Sequence, residues 1–114
     1  MEKEILKELP ACPVETTLTL NSDKWKLLIL RALMSGTKRF GELKKSIGHV
    51  TQKVLTAQLR QMEESGLLTR KVYAEVPPRV EYTLTELGYS LKPVLDAMWT
   101  WGEGYKSRLE GKAE

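Results

Sequence analysis

Cysteine and histidine occur once each in the 114 residues, at Cys12 and His49. A single thiol cannot close an intrachain disulfide, and neither residue has a second cysteine or histidine with which to share a metal. A long apolar run is also missing. The longest strongly apolar stretch, residues 27–34, falls far below the roughly 20 residues needed to cross a bilayer. The first six residues mix both signs of charge and lack the basic-then-apolar build of a secretion signal, so the product is expected to stay in the cytoplasm. Neither a Gly-rich phosphate loop nor a nucleophile paired with a base can be found, which argues against an enzyme. The neighbouring carboxylates Glu63 and Glu64 suit solubility and local ion pairs better than acid-base chemistry. No cofactor, metal or catalytic residue is expected.

What is present suits one domain: 114 residues, 41% hydrophobic, can bury one core but not two. The net charge of +3 is unevenly spread. Residues 1–37 carry five basic and five acidic side chains, residues 38–82 nine and five, and residues 83–114 four and five. The whole positive excess therefore lies in the middle segment, as in a chain with one basic face between neutral flanks.

Along the chain, residues 1–11 are polar, end near Pro10, and read as a flexible leader to a domain spanning 12–114. Pro13 suits the first turn of a short helix with Val14, Leu18 and Leu20 on its apolar side. Asn21-Ser22-Asp23 offers capping oxygens to a helix over 24–35 that is apolar on most sides and stops at Gly36. A shorter helix follows, with Phe40, Leu43 and Ile47 inward and Glu42, Lys44 and Lys45 outward. Gly48-His49-Val50-Thr51 then forms a four-residue turn, with Thr51 placed to cap the helix 52–65 and Val50 to staple onto Leu55. In that helix Leu55, Leu59 and Met62 make one stripe, while Gln52, Lys53, Thr56 and Arg60 fall opposite. After Gly66 the period changes: 67–74 and 79–84, joined across Pro77-Pro78, read as a β-hairpin in which Val80, Tyr82 and Leu84 share a face. Thr85 is placed to cap a long last helix, within which Pro93 is expected to cause a bend.

This order predicts a mainly α fold with a small β-hairpin, a winged helix-turn-helix. In that motif the second helix of the pair enters the major groove and the hairpin touches the backbone. Thr51, Gln52, Lys53, Thr56 and Arg60 are the candidates for base edges, since Gln can pair with adenine and Lys or Arg with guanine or phosphate. Lys44, Lys45, Arg70, Lys71 and Arg79 are better placed to hold the phosphates. Polar residues on an outer helix face often meet only water. Here turn, cap, polar stripe, hairpin and charge bias all fall in the order that one docking geometry requires. The alternative is a winged helix that binds only protein.

The residues also resemble a family. Cys12-Pro13-Val14, Lys24-Trp25, Arg39-Phe40, Glu42-Leu43, Lys53-Val54-Leu55-Thr56, Glu63-Glu64-Ser65-Gly66-Leu67, the run from Pro77 to Tyr82, and Leu84-Thr85-Glu86-Leu87-Gly88 resemble, in this order, the HxlR-type winged-helix transcription regulators. The likeness covers residues 12–102. It implies a bacterial, sequence-specific regulator of double-stranded DNA, active on the nucleoid and dimeric through its N- and C-terminal helices.

The last helix gives its own reason to expect a homodimer. Leu87, Leu91, Val94, Met98 and Trp101 are spaced 4, 3, 4 and 3, and Leu95 and Trp99 add an adjoining stripe, wider than one small domain needs. Leu18, Val94, Leu95, Met98, Trp99 and Trp101 are the expected interface. Two-fold symmetry in turn predicts a palindromic operator. Cys12 stands at a helix N-terminus, where backbone N–H groups stabilise an anion. By resemblance, its Cys-Pro position implies sensing of an oxidant or a small-molecule electrophile. The alternative is a small buried apolar side chain.

Overall fold

The sequence KWKLLILRAL sits at the centre of the molecule. In the computed structural model, which describes residues 9, 11–20 and 24–113, it forms helix α2, Lys24–Leu33, with Ile29, Leu30 and Leu33 fully buried. Before it runs α1, Pro13–Leu20, no residue of which is buried. The expected leader lies, apart from residues 9 and 11, outside the described residues, and so does the capping role of Asn21-Ser22-Asp23.

A two-residue strand β1, Lys38–Arg39, leads directly into α3, Phe40–Ile47. The backbone N–H of Arg39 donates to Glu42 Oε1 at 2.9 Å, which satisfies one of the donors left open at the helix start. Helix α4, Gln52–Glu64, then packs Leu55, Leu59 and Met62 onto α2 and Leu43. Strands β2, Leu68–Tyr73, and β3, Arg79–Leu84, form the hairpin. Val80, Tyr82 and Leu84 turn one face to the core, Tyr82 and Leu84 fully and Val80 partly. The sheet is larger than the expected hairpin, because β1 adds to the far side of β3 in the order β1-β3-β2. All its pairings are antiparallel, with Lys38 opposite Tyr82 and Arg39 opposite Glu81. The sheet therefore ties the entry of the helix-turn-helix to the wing.

Beyond β3 the structure departs from the expected single helix. Thr85 caps only a one-turn helix α5, Glu86–Tyr89, its hydroxyl accepting from Gly88 N at 3.1 Å. The long helix α6 starts afresh at Lys92 and ends at Ala113. Pro93 is thus its second residue, where a missing N–H costs no helical bond, and it starts the helix instead of bending it. Leu87 belongs to α5 and is exposed, so it leaves the expected apolar stripe.

At Gly88 two elements come together. A Cβ there would lie 2.2 Å from the carbonyl oxygen of Leu67, so α5 can rest on the entry to β2 only without a side chain. Helix α6 touches the core through Leu95, and Leu91, just before its first residue, packs there too. Its remaining length projects, giving a radius of gyration of 16.4 Å where a compact chain of this size would have about 13 Å.

Candidate nucleic-acid interface

The reading head is built from a turn that glycine makes possible. Gly48 has φ +99°, a conformation open to residues without a Cβ, and its N–H returns to Lys44 O at 3.0 Å to close α3. Val50 then enters the core cluster that also holds Leu55, the residue the expected staple would join it to. Thr51 adopts extended backbone, and its hydroxyl accepts from Val54 N at 3.1 Å. Helix α4 is thereby fixed at its first turn, the part that a helix-turn-helix presents to DNA.

Burial of Leu55, Leu59 and Met62 dictates what faces out. Gln52, Lys53, Thr56 and Arg60 are all exposed, as is Thr51, whose hydroxyl is at the same time engaged in the cap. Lys44 and Lys45 are exposed in the last turn of α3. On the wing, Arg70 and Lys71 are exposed, opposite Tyr82 and Glu81. A hollow of about 180 Å³ joins the two halves: Thr56, Arg60 and Glu63 of α4 line it together with Arg70 and Tyr82 of the sheet. The residues assigned separately to base edges and to backbone thus converge at Arg60 and Arg70. Sequence reasoning did not place Glu63 or Tyr82 there. Only the alternation that sends Tyr82 inward hinted at the second.

Arg79 is differently placed. Its guanidinium lies 3.4 Å from Glu75 and 3.7 Å from Glu81, and stacks over the Tyr73 ring at 4.0 Å, while Lys71 approaches the same ring at 4.9 Å. Its present work is to brace the wing. His49 meets Trp25 edge-on at a centroid distance of 6.3 Å, so the turn is also held by an aromatic contact with α2.

Of the residues expected between subunits, Leu18, Val94, Met98, Trp99 and Trp101 are exposed, Trp101 at 70%, while Leu95 is half-buried against the core. Tyr105, stacked on Trp101 at 5.3 Å, and Leu109 carry the apolar face further along α6 than the sequence reading took it. Cys12 is exposed, not buried, and its carbonyl accepts from Thr16 N at 3.0 Å at the start of α1. Among the described residues no three His, Cys, Asp or Glu side chains are grouped to hold a metal. No described helix is long and apolar enough to cross a membrane.

Comparison with known proteins agrees with this architecture. A family model described as HxlR-like helix-turn-helix matches residues 20–110. The chain is 48% identical over 103 residues to the HTH-type transcriptional regulator YdeP of Bacillus subtilis, covering 90% of this chain and 80% of that protein. Among solved structures, the redox regulator HypR in its reduced form is similar with a TM-score of 0.81 at 43% identity, over 88% of this chain and 99% of that one. The reduced form of the transcriptional regulator YodB from B. subtilis gives 0.71 at 37% identity, over 82% and 93%. The chain belongs to the HxlR-like helix-turn-helix family of transcriptional regulators.

Proposed function

We propose that this regulator binds double-stranded DNA as a homodimer on a palindromic operator, in the cytoplasm and on the nucleoid. Thr51, Gln52, Lys53, Thr56 and Arg60 meet the major groove, and Lys44, Lys45, Arg70 and Lys71 hold phosphates on either side. Arg79 reaches phosphate only when Glu75 or Glu81 releases it. The observation that carries this reading is the exposed cationic face that runs from Lys53 and Arg60 of α4 across the hollow to Arg70 of the wing. A concave seat between a helix and a hairpin suits a strand of duplex whose groove the helix occupies.

The exposed apolar face of α6 supports the dimer, since Val94, Met98, Trp101, Tyr105 and Leu109 lie three or four residues apart and in water as a monomer. A salt titration with footprinting tests both parts. Affinity falls by about ten-fold or more between 50 and 200 mM salt when several phosphates are neutralised. Protected half-sites stand about one helical turn, or a small multiple, apart. Absence of salt-dependent binding to any duplex would leave the protein-binding alternative, and a stable monomer on one asymmetric site would remove the dimer.

A second reading concerns Cys12. Its thiol is exposed at the start of α1, and two similar structures are a regulator described as a redox regulator and YodB, also solved after diamide treatment. Oxidation here would join two Cys12 thiols of separate subunits, or one to a small thiol, with the oxidant taking up the two electrons. A Cys12→Ser protein keeps its DNA in diamide; release equal to that of the wild type would dismiss this role.

A further inference from the structure

Between α2 and α6 lies a cleft of about 480 Å³, within the range of small-molecule sites. Its walls are apolar: Leu27 and Leu28 from α2 with Met34 just beyond its end, and Leu95, Met98 and Trp99 from α6. Three charged side chains also line it. Lys92 and Asp96 pair with each other at 2.7 Å, which leaves Arg31 as the uncompensated charge. Among the described residues no carboxylate stands within 4.0 Å of Arg31. Its guanidinium carbon lies over the indole ring of Trp99, 4.0 Å from the centroid. A cation over a ring face is held through its charge, and its N–H donors can still be taken up by a carboxylate.

Arg31 also borders a second, polar hollow that holds Lys38, Ser35 and Ser46, where Lys38 Nζ donates to Ser35 Oγ at 3.2 Å. The C-terminal end of α2 opposes an anion here with an equivalent of about half a negative charge. Two cations outweigh it. The combination asks for a molecule with an apolar body and one planar anionic head.

We propose that this cleft binds an apolar organic monocarboxylate, its body between Leu28, Met98 and Trp99 and its carboxylate on Arg31. Such a ligand bridges the helix that anchors the reading head to the helix that projects from it. If α6 joins two subunits, as proposed above, the ligand sets the angle between their recognition helices. The binding step itself does not depend on that reading.

Isothermal titration of the full chain without DNA tests the site, with 1-naphthoate as probe and neutral 1-naphthalenemethanol as its counterpart. One naphthoate binds per protomer, and the alcohol binds about ten-fold more weakly or less, as expected when a charge-assisted bidentate pair is removed. Arg31→Gln lowers naphthoate affinity by a similar factor and leaves the alcohol unchanged, which also shows that the variant is folded. Asp96→Asn releases Lys92 and raises naphthoate affinity. The pair it breaks is exposed at both ends, so the fold is little affected. No saturable binding at millimolar naphthoate, or equal binding by wild type and Arg31→Gln, overturns the proposal. A wild type that binds neither probe, with a dimer that Arg31→Gln weakens, assigns the cleft to a second copy and overturns it as well. Because DNA is absent from the cell, failure here is distinguishable from failure of the DNA-binding reading.

Discussion

Replacing Gly88 by alanine puts a methyl group 2.2 Å from Leu67 O, 3.2 Å from the Leu67 carbonyl carbon and 3.1 Å from Leu84 Cδ2. The side-chain contact can yield, but the carbonyl cannot move alone, because the same oxygen accepts from Thr85 N at 3.0 Å. Relief requires α5 and the start of β2 to separate by about 1 Å. Such overpacking costs about 1–3 kcal/mol, and weakening the Thr85 bond adds about 1 kcal/mol. The better helix preference of alanine returns up to about 1 kcal/mol. The net expectation is a loss of about 1–4 kcal/mol, or a fall in Tm of roughly 5 °C or more. Urea melts followed by circular dichroism, at one fixed protomer concentration, measure it. Gly41→Ala is the control, since a Cβ at this helical position meets nothing within 4 Å and alanine is neutral or mildly stabilising there. An unchanged midpoint for Gly88→Ala, or a rise like that of the control, would refute the close-approach argument.

Other substitutions separate the parts of the site. Thr51→Ala removes the acceptor for Val54 N and is expected to cost about 1 kcal/mol in a urea melt; a Thr51→Ser protein should recover most of it. Neutralising Lys44 or Lys45 is expected to weaken binding to all duplexes alike and to flatten the log–log salt slope by about one unit for each phosphate no longer neutralised. A change confined to one base position would instead move that residue into the groove. Met98→Asp places a charge in the middle of the exposed face of α6 and should shift the molecular mass by light scattering from dimer to monomer; an unchanged dimer would place the interface elsewhere.

The helix-turn-helix was legible because its determinants are local. The positive-φ glycine at 48, the Thr51 cap and the three- and four-residue spacing of Leu55, Leu59 and Met62 each act within one or two turns. Strand β1 was not legible, since two residues carry no periodicity and Lys38–Arg39 becomes a strand only by pairing with β3. The break between α5 and α6 was hidden by apolar spacing that runs through it unaltered. Pro93 is a breaker or a starter according to where the helix begins, and that is decided by the seat of Gly88 on Leu67. The bracing of Arg79 depends on cross-strand register with Tyr73, and the hollow at Arg60 and Arg70 on how the wing folds back over α4.

The wing has a liability as well as a use. In the order β1-β3-β2, β2 keeps one side unpaired, and four consecutive residues of it are exposed. A bare strand edge is a template on which a second molecule can add its own strand and begin to aggregate. Arg70 and Lys71 lie in the middle of this edge, so two wings meeting edge to edge would bring like charges together. The cations proposed to attract phosphate would then also keep neighbouring molecules soluble while no DNA is bound, and selection at these positions would answer to colloidal stability as well as to binding.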